Sequence, residues 1–462
     1  VPGSSLSFQR SIRLNLDPYV KMFDKWNNKH FIRTRYYLVS TGNLTELYAS
    51  SKAEMYYADY QFQRETKRKG NLTLGLTNIN NVINSSVFGD HLSESAAIYS
   101  QFDQKLKKWD FTAGLRFEYF QQDDKPKDSE FKMGELTLPV YPILRAGVHF
   151  EPIKHTHLRA TVGQGIRFPS VAERFVATSN GGVILFPNPD LKPEIGWSSE
   201  IGVKQVVKMG EWKGLIDVAG FINNYDNMIE FAFGVYNPDS IPLNTVPGTP
   251  GYIYNWVGLR ATNAEKAQIS GVELSFNSEG KIKSVDLTTL LGYTYMNPIS
   301  LNKDPQYLST FSDSGSNLLK YRFRHLAKMD IQAKYKRYML GFSSRYNSNM
   351  DNIDVIFEDG ILGQQVLQGL KEYRMIHNKG ALVFDLNAHG MLNGQSQAYY
   401  DSLDRGELNR YAQIGIANKN ESYDPTLLSK ILHEKCYYGL LTHDEQDHGH
   451  ARYRSSRYGR ER

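Results

Sequence analysis

Along most of the chain, apolar and polar residues alternate one for one, the period of a strand with one wet face. In residues 109–120, Trp109, Phe111, Ala113, Leu115, Phe117 and Tyr119 alternate with Asp110, Thr112, Gly114, Arg116 and Glu118. The polar phase carries full charges, so that face must meet water. Residues 327–335 repeat the pattern, with Ala327, Met329, Ile331, Ala333 and Tyr335 set against Lys328, Asp330, Gln332 and Lys334. Residues 285–295, 144–150, 158–162, 272–276, 340–346 and 382–388 read the same way. About fifteen such segments are predicted by the alternation. Many are much longer than the ~5–6 residues of an ordinary soluble strand. No long amphipathic helix is visible.

The connections alternate too. Residues 107–108, 152–155, 209–213, 277–281 and 336–337 read as short turns. Between them, 121–141, 167–196, 223–262, 298–322 and 348–380 read as long connections. Short and long in strict rotation is the rhythm of an up-and-down meander with two unlike ends. The fold class predicted is therefore all-β: a transmembrane antiparallel up-and-down β-barrel. Each strand shows an apolar face to lipid and a polar face to a wet lumen. Backbone groups in lipid must all be paired, so such a sheet has to close. A large soluble β protein with buried apolar faces is the competing reading.

Composition sharpens this. The chain has 462 residues, 40% of them hydrophobic and 22% charged, and no apolar run approaches the roughly 20 residues of a membrane-spanning helix. Its 30 Tyr outnumber its 23 Phe. Tyr needs a partner for its hydroxyl and suits a wet boundary, such as the aromatic girdle of a membrane barrel. The net charge of +5 makes no case for nucleic acid. The single Cys436 excludes an intrachain disulfide. The chain opens Val1-Pro2-Gly3-Ser4-Ser5 and is read as mature or incomplete.

Four motifs then occur in order. Gly163-Gln164-Gly165-Ile166-Arg167-Phe168-Pro169-Ser170-Val171-Ala172-Glu173-Arg174-Phe175 comes first, followed by Asn188-Pro189-Asp190-Leu191-Lys192-Pro193-Glu194. Trp197 to Lys204 and Asn263 to Leu274, the latter containing Gly271-Val272-Glu273, complete the set. Together they resemble the barrel of TonB-dependent outer-membrane receptors, over roughly residues 10–395. The resemblance implies a barrel of about 22 strands with a plugged lumen. The chain is thus expected to be a partial receptor, about fifteen strands of that barrel, with the plug and its TonB-contacting segment not present. Residues 1–395 are expected to form the partial barrel with long extracellular loops. Residues 396–462 are expected to be an atypical polar tail, disordered or lacking the true last strand. Missing strands would leave an open edge in lipid, so an isolated fragment should misfold.

Gly165, Pro169, Ser170, Glu173, Phe175, Asn188, Pro189, Asp190, Leu191, Pro193, Glu194, Gly271 and Glu273 are read as structural parts of the motifs. The prolines fix φ and remove donors, so this loop cannot extend the ladder. Arg167, Glu173 and Arg174 suit a charge network against the lumen wall or plug. Ligand contact is assigned to Arg167, Phe168, Arg174, Tyr225, Tyr236, Tyr252, Tyr254 and Trp256. The aromatics among them would stack on a catecholate, a corrin or a sugar, or else would pack a β-hairpin above the membrane. No metal site is expected. His433, Cys436, His443, His448 and His450 lack structural-zinc spacing, and His433-Glu434-Lys435-Cys436-Tyr437 misses HExxH at its last position. No phosphate loop, nucleophile elbow or cofactor motif is present, so no enzyme is expected.

The resemblance implies uptake of a scarce small-molecule nutrient, with a ferric siderophore favoured over cobalamin, haem or a glycan. It also implies two partners, outer-membrane lipid and the TonB complex of the inner membrane, the latter acting through the plug. A passive porin-like barrel is the alternative of a different class.

Overall fold

The computed structural model describes residues 9–43, 50–123, 126–133, 136–180, 183–264, 266–303, 305–360, 367–390 and 413–415. Their dominant feature is one 17-stranded antiparallel sheet. Its strands follow the chain. Lys29–Asn43, Ser50–Glu65, Gly70–Ser85, Gly89–Leu106 and Trp109–Gln122 each pair with the next. Tyr141–Phe150, Thr156–Arg167, Glu194–Met209, Trp212–Asp226, Ala267–Ile282, Val285–Ser300, His325–Tyr335, Tyr338–Asn347 and Ala381–Gly390 continue the same order. Gln9–Leu16 and Tyr19–Phe23 both pair with Lys29–Asn43 and share one position in the sheet. Gln413–Gly415 pairs with Ala381–Gly390 at the far edge. Among the described residues, no ladder joins the last strand to the first. The predicted tail otherwise lies outside the described residues, as do its histidines and Cys436.

The alternation sorts the side chains by face. Leu74, Ile98, Phe102, Phe111, Leu144, Ile201, Val272 and Leu340 leave large exposed apolar surfaces on the outward face. The other face carries ion pairs. Arg33 reaches Asp59 at 2.8 Å, and Thr77 and Tyr99 donate to the same carboxylate. Arg159 sits between Glu200 and Asp217, 2.7 Å from each. It lies flat across Gly202, where a Cβ would stand 2.7 Å from its Cζ. Partly solvated charges in pairs mark this face as the lumen side of a barrel wall.

One connection differs from the sequence reading. Residues 277–281 look like a turn, yet the strand Ala267–Ile282 runs through them in unbroken register with Val285–Ser300. Gly280 is pressed against Trp212, and the turn falls at Lys283-Ser284. Cross-strand packing overrides the turn-like composition. Seven short connections lie at one end of the sheet, residues 24–28, 66–69, 107–108, 151–155, 210–211, 283–284 and 336–337, while the short turn 86–88 lies at the other. They carry Lys25, Lys67, Arg68, Lys69, Lys107, Lys108, Lys154, Lys283, Lys336 and Arg337 against Asp24, Glu151 and Glu211.

Candidate functional site

The long connections gather at the other end, and they are built, not loose. Thr178–Asn180, Val183–Phe186, Val257–Ala264 and Met228–Val235 form a separate four-stranded sheet above the strand ends. Val183–Phe186 runs parallel to Val257–Ala264, so close that a Cβ on Gly258 would stand 2.1 Å from the Ile184 carbonyl oxygen.

The first motif folds as a short helix, Val171–Phe175. Ser170 caps it, accepting from the Glu173 amide, while the Glu173 carboxylate accepts from the Ser170 amide at 2.8 Å. This reciprocal pair satisfies two otherwise orphan donors. Arg167 grips Glu173 at 2.9 Å and Glu194 at 3.3 Å. Burial pushes the Glu173 carboxyl up, but the Ser170 amide and Arg167 outweigh it and hold the group below its ordinary range. Glu194 also accepts from the Ile229 amide at 3.0 Å, tying the barrel wall to the loop sheet.

Arg174, read both as part of a charge network and as a ligand contact, sits inside the protein. It is 2% exposed. Its guanidinium donates to Gln122, Asp128 and the Leu191 carbonyl at 2.6–2.7 Å. Every one of these acceptors belongs to the protein, and a buried cation is held by such pairing. Phe168, likewise assigned to ligand, stacks on Phe120 at 4.3 Å. Phe175 stacks on His91 at 3.8 Å, and Pro169 is fully buried.

The second motif is a clamp. The Asn188 side chain donates to the Ala261 carbonyl at 2.9 Å, and Asn263 bridges the Lys192 backbone in both directions. Leu191 fills a small core with Ile229 and Ala261. Pro189 and Asp190 are exposed, and Pro193 is half-buried.

The aromatic candidates divide. Tyr236 lies under the Arg260 guanidinium at 4.2 Å and donates to the Ala232 carbonyl. Burial raises its hydroxyl pKa to about 12. Trp256 stacks near Phe186 and donates to the Pro250 carbonyl at 2.8 Å. These two serve the hairpin. Tyr252 and Tyr254 form a half-buried pair 5.3 Å apart. Tyr225 and Arg167 line a cleft of about 760 Å³ on the inward wall, together with Gly165, Glu194, Asn223 and Arg145. A Cβ on Gly165 would meet nothing within 4 Å, so this motif glycine faces open space. Arg145 has no carboxylate partner among the described residues. Gly271 and Glu273 lie on the strand Ala267–Ile282, where Glu273 is exposed.

Sequence reasoning missed the links between loops. Lys320 and Asp354 form a buried ion pair, their side chains 7% and 3% exposed, and Tyr321 donates to the same carboxylate at 2.6 Å. Arg322 reaches Glu230 at 2.6 Å. Burial pushes the Glu230 carboxyl up, and the Arg322 and Lys320 cations oppose it. Asn352, 1% exposed, accepts from the Asp313 amide and donates to the Leu318 carbonyl. Phe233 of the loop sheet meets Phe357 at 5.2 Å. Three long connections are thereby fastened into one assembly. No local signal in the sequence announces these pairs. Among the described residues, no cluster of ligands suits a metal ion.

The comparisons agree with this architecture. The family described as TonB dependent receptor-like, beta-barrel matches residues 4–420, so the chain belongs to that family, a family of outer-membrane receptors and transporters. Its place is the bacterial outer membrane. The chain is similar in fold to the siderophore receptor PirA from Pseudomonas aeruginosa, at 15% identity and a TM-score of 0.55, covering 84% of this chain and 59% of that one. It is similar to the ferric-catecholate import receptor Fiu from K12 E. coli, at 15% identity and a TM-score of 0.55, covering 85% and 59%. It also resembles a mutant of the ferric enterobactin receptor PfeA from Pseudomonas aeruginosa, at 12% identity and a TM-score of 0.58, covering 84% and 55%. The chain therefore spans less than two-thirds of these receptors. No curated protein matches it.

Proposed function

We propose that this chain forms much of the wall and mouth of an energised uptake receptor whose ligand is a ferric siderophore. One observation carries the reading. In a chain of this family, long connections are locked into a single assembly above a polar cleft that runs down the inward wall. A mouth of that kind can grip a bulky ligand, and the wall can lead it onward. The siderophore receptors among the similar folds support the ligand class.

Within this reading, Arg167 and Tyr225 contact the ligand from the cleft, and Tyr252 and Tyr254 contact it from the connection between Met228–Val235 and Val257–Ala264. Gly165 leaves room beside them. The first two motifs hold the mouth in shape, with Arg174 as its buried anchor. The TonB complex supplies the energy by acting on a plug in the lumen. Passage needs no bond-making step, and no residue is assigned a catalytic role.

The test is equilibrium binding of a ferric catecholate to cells displaying the full-length receptor. Removing both rings, Tyr252→Ala with Tyr254→Ala, should weaken binding about tenfold, since each ring contact adds about 0.5–1.5 kcal/mol. Unchanged affinity in the double variant would remove these tyrosines from the ligand site. No binding by the unaltered receptor would remove the ligand class.

A further inference from the structure

We propose that the short-turn rim of the barrel is a binding surface for anionic phospholipid headgroups. The seven short connections hold ten Lys and Arg against three acidic residues. None of the ten forms an ion pair among the described residues. Of the acids at this end, Asp110 is engaged with Lys105 and His149, Asp286 with Lys281, Asp24 with Asn28 and His30, and Glu151 with the His155 amide. The rim therefore carries a band of unneutralised, exposed charge, although the whole chain is nearly balanced at +5.

The position of that charge points to lipid. The strands end at the rim on exposed outward side chains: Leu106 at 50%, Met209 at 81% and Ile282 at 54%. Outward aromatic rings stand just above the turns, as Trp109, Tyr335 and Tyr338 do. Three of the cations reach back over such rings: Lys25 over Trp26 at 4.3 Å, Lys336 over Tyr335 at 5.4 Å and Arg337 over Tyr338 at 5.4 Å. An apolar band, then rings, then cations is the sequence of environments from acyl chain to interface to phosphate. Lys336 and Arg337 thus lean toward the outward side, so the phosphates they meet belong to lipid beside the barrel. Each basic residue near an anionic surface contributes attraction that salt weakens.

The measurement is lipid selectivity at the barrel boundary. The full-length receptor is reconstituted in phosphatidylcholine bilayers containing a trace of spin-labelled phosphatidylglycerol or spin-labelled phosphatidylcholine. The motionally restricted fraction of each label is read by electron paramagnetic resonance. Phosphatidylglycerol should be enriched about threefold at the boundary, and molar salt should reduce the enrichment. The combined variant Lys67→Gln, Lys69→Gln, Lys107→Gln and Lys336→Gln should bring the ratio close to one. These side chains are exposed at turns, so the barrel should still fold, and an unchanged total of restricted lipid checks that it does. Equal association of the two lipids with the unaltered receptor overturns the proposal. So does a preference that survives the four substitutions. An absence of restricted lipid of either kind would contradict the membrane placement itself, and the rim proposal with it.

Discussion

Replacing Lys320 with alanine should unfasten the mouth while leaving the barrel wall intact. The substitution leaves the Asp354 carboxylate, its side chain 3% exposed, with the Tyr321 hydroxyl as its remaining donor. Breaking one side of a buried ion pair costs about 3–5 kcal/mol, because the remaining charge has neither water nor a counter-charge. That cost corresponds to an opening equilibrium shifted by roughly a factor of 10² to several times 10³. Amide exchange should therefore accelerate by that order in residues 310–322 and 350–359. Amides of the strands Trp109–Gln122 and Glu194–Met209 should keep their protection. Removing both charges, with Lys320→Met and Asp354→Leu, should restore most of the loss, since a well-packed apolar pair can replace a buried ion pair. Equal exchange in Lys320→Ala and the unaltered chain would mean that the pair does not hold the loops.

The second large effect is expected inside the wall. Gly271 lies where the strand Ala267–Ile282 passes Val285–Ser300, opposite Phe221. A Cβ there would stand 2.1 Å from the Tyr295 carbonyl oxygen and 2.8 Å from the Phe221 ring. The ring can swing aside, but the carbonyl belongs to the neighbouring backbone and cannot move without breaking the ladder. Gly271→Ala should destabilise the sheet by about 3 kcal/mol, the upper end of what overpacking costs. Gly165→Ala is the matched control, because its Cβ would meet nothing. In urea unfolding from lipid vesicles, Gly271→Ala should lower the midpoint clearly and Gly165→Ala hardly at all. Similar midpoints for the two would show that the close approach at Gly271 relaxes freely.

The fold was largely legible because its information is local. A period of two, sustained from Trp109 to Glu118 and from Val285 to Tyr295, defines a strand with two different faces. The alternation of short and long connections then orders those strands. The error at residues 277–281 shows the limit. Asn277, Ser278, Glu279 and Gly280 carry turn chemistry, and only the Trp212 side chain packed on Gly280 reveals a strand.

The candidate site was legible in part. The capping-box spacing of Ser170 and Glu173 is the signal for the short helix that the loop reading omits. Burial does not follow from spacing. Arg167 and Arg174 look equivalent in the sequence, yet one lines the cleft and the other is sealed behind Gln122 and Asp128. The loop locks join residues 34 and 92 positions apart. Such pairs are set by how the strands deliver the loops, and no local pattern encodes them.

We propose that this chain belongs to a receptor that takes up an iron complex with energy supplied from the inner membrane. Uptake of a radiolabelled ferric siderophore under iron limitation tests it most directly, in cells with and without the full-length gene and with and without TonB. The account predicts accumulation that disappears when either is removed and returns when the gene is restored. Undiminished accumulation without the gene, or gene-dependent entry that persists without TonB, would contradict it.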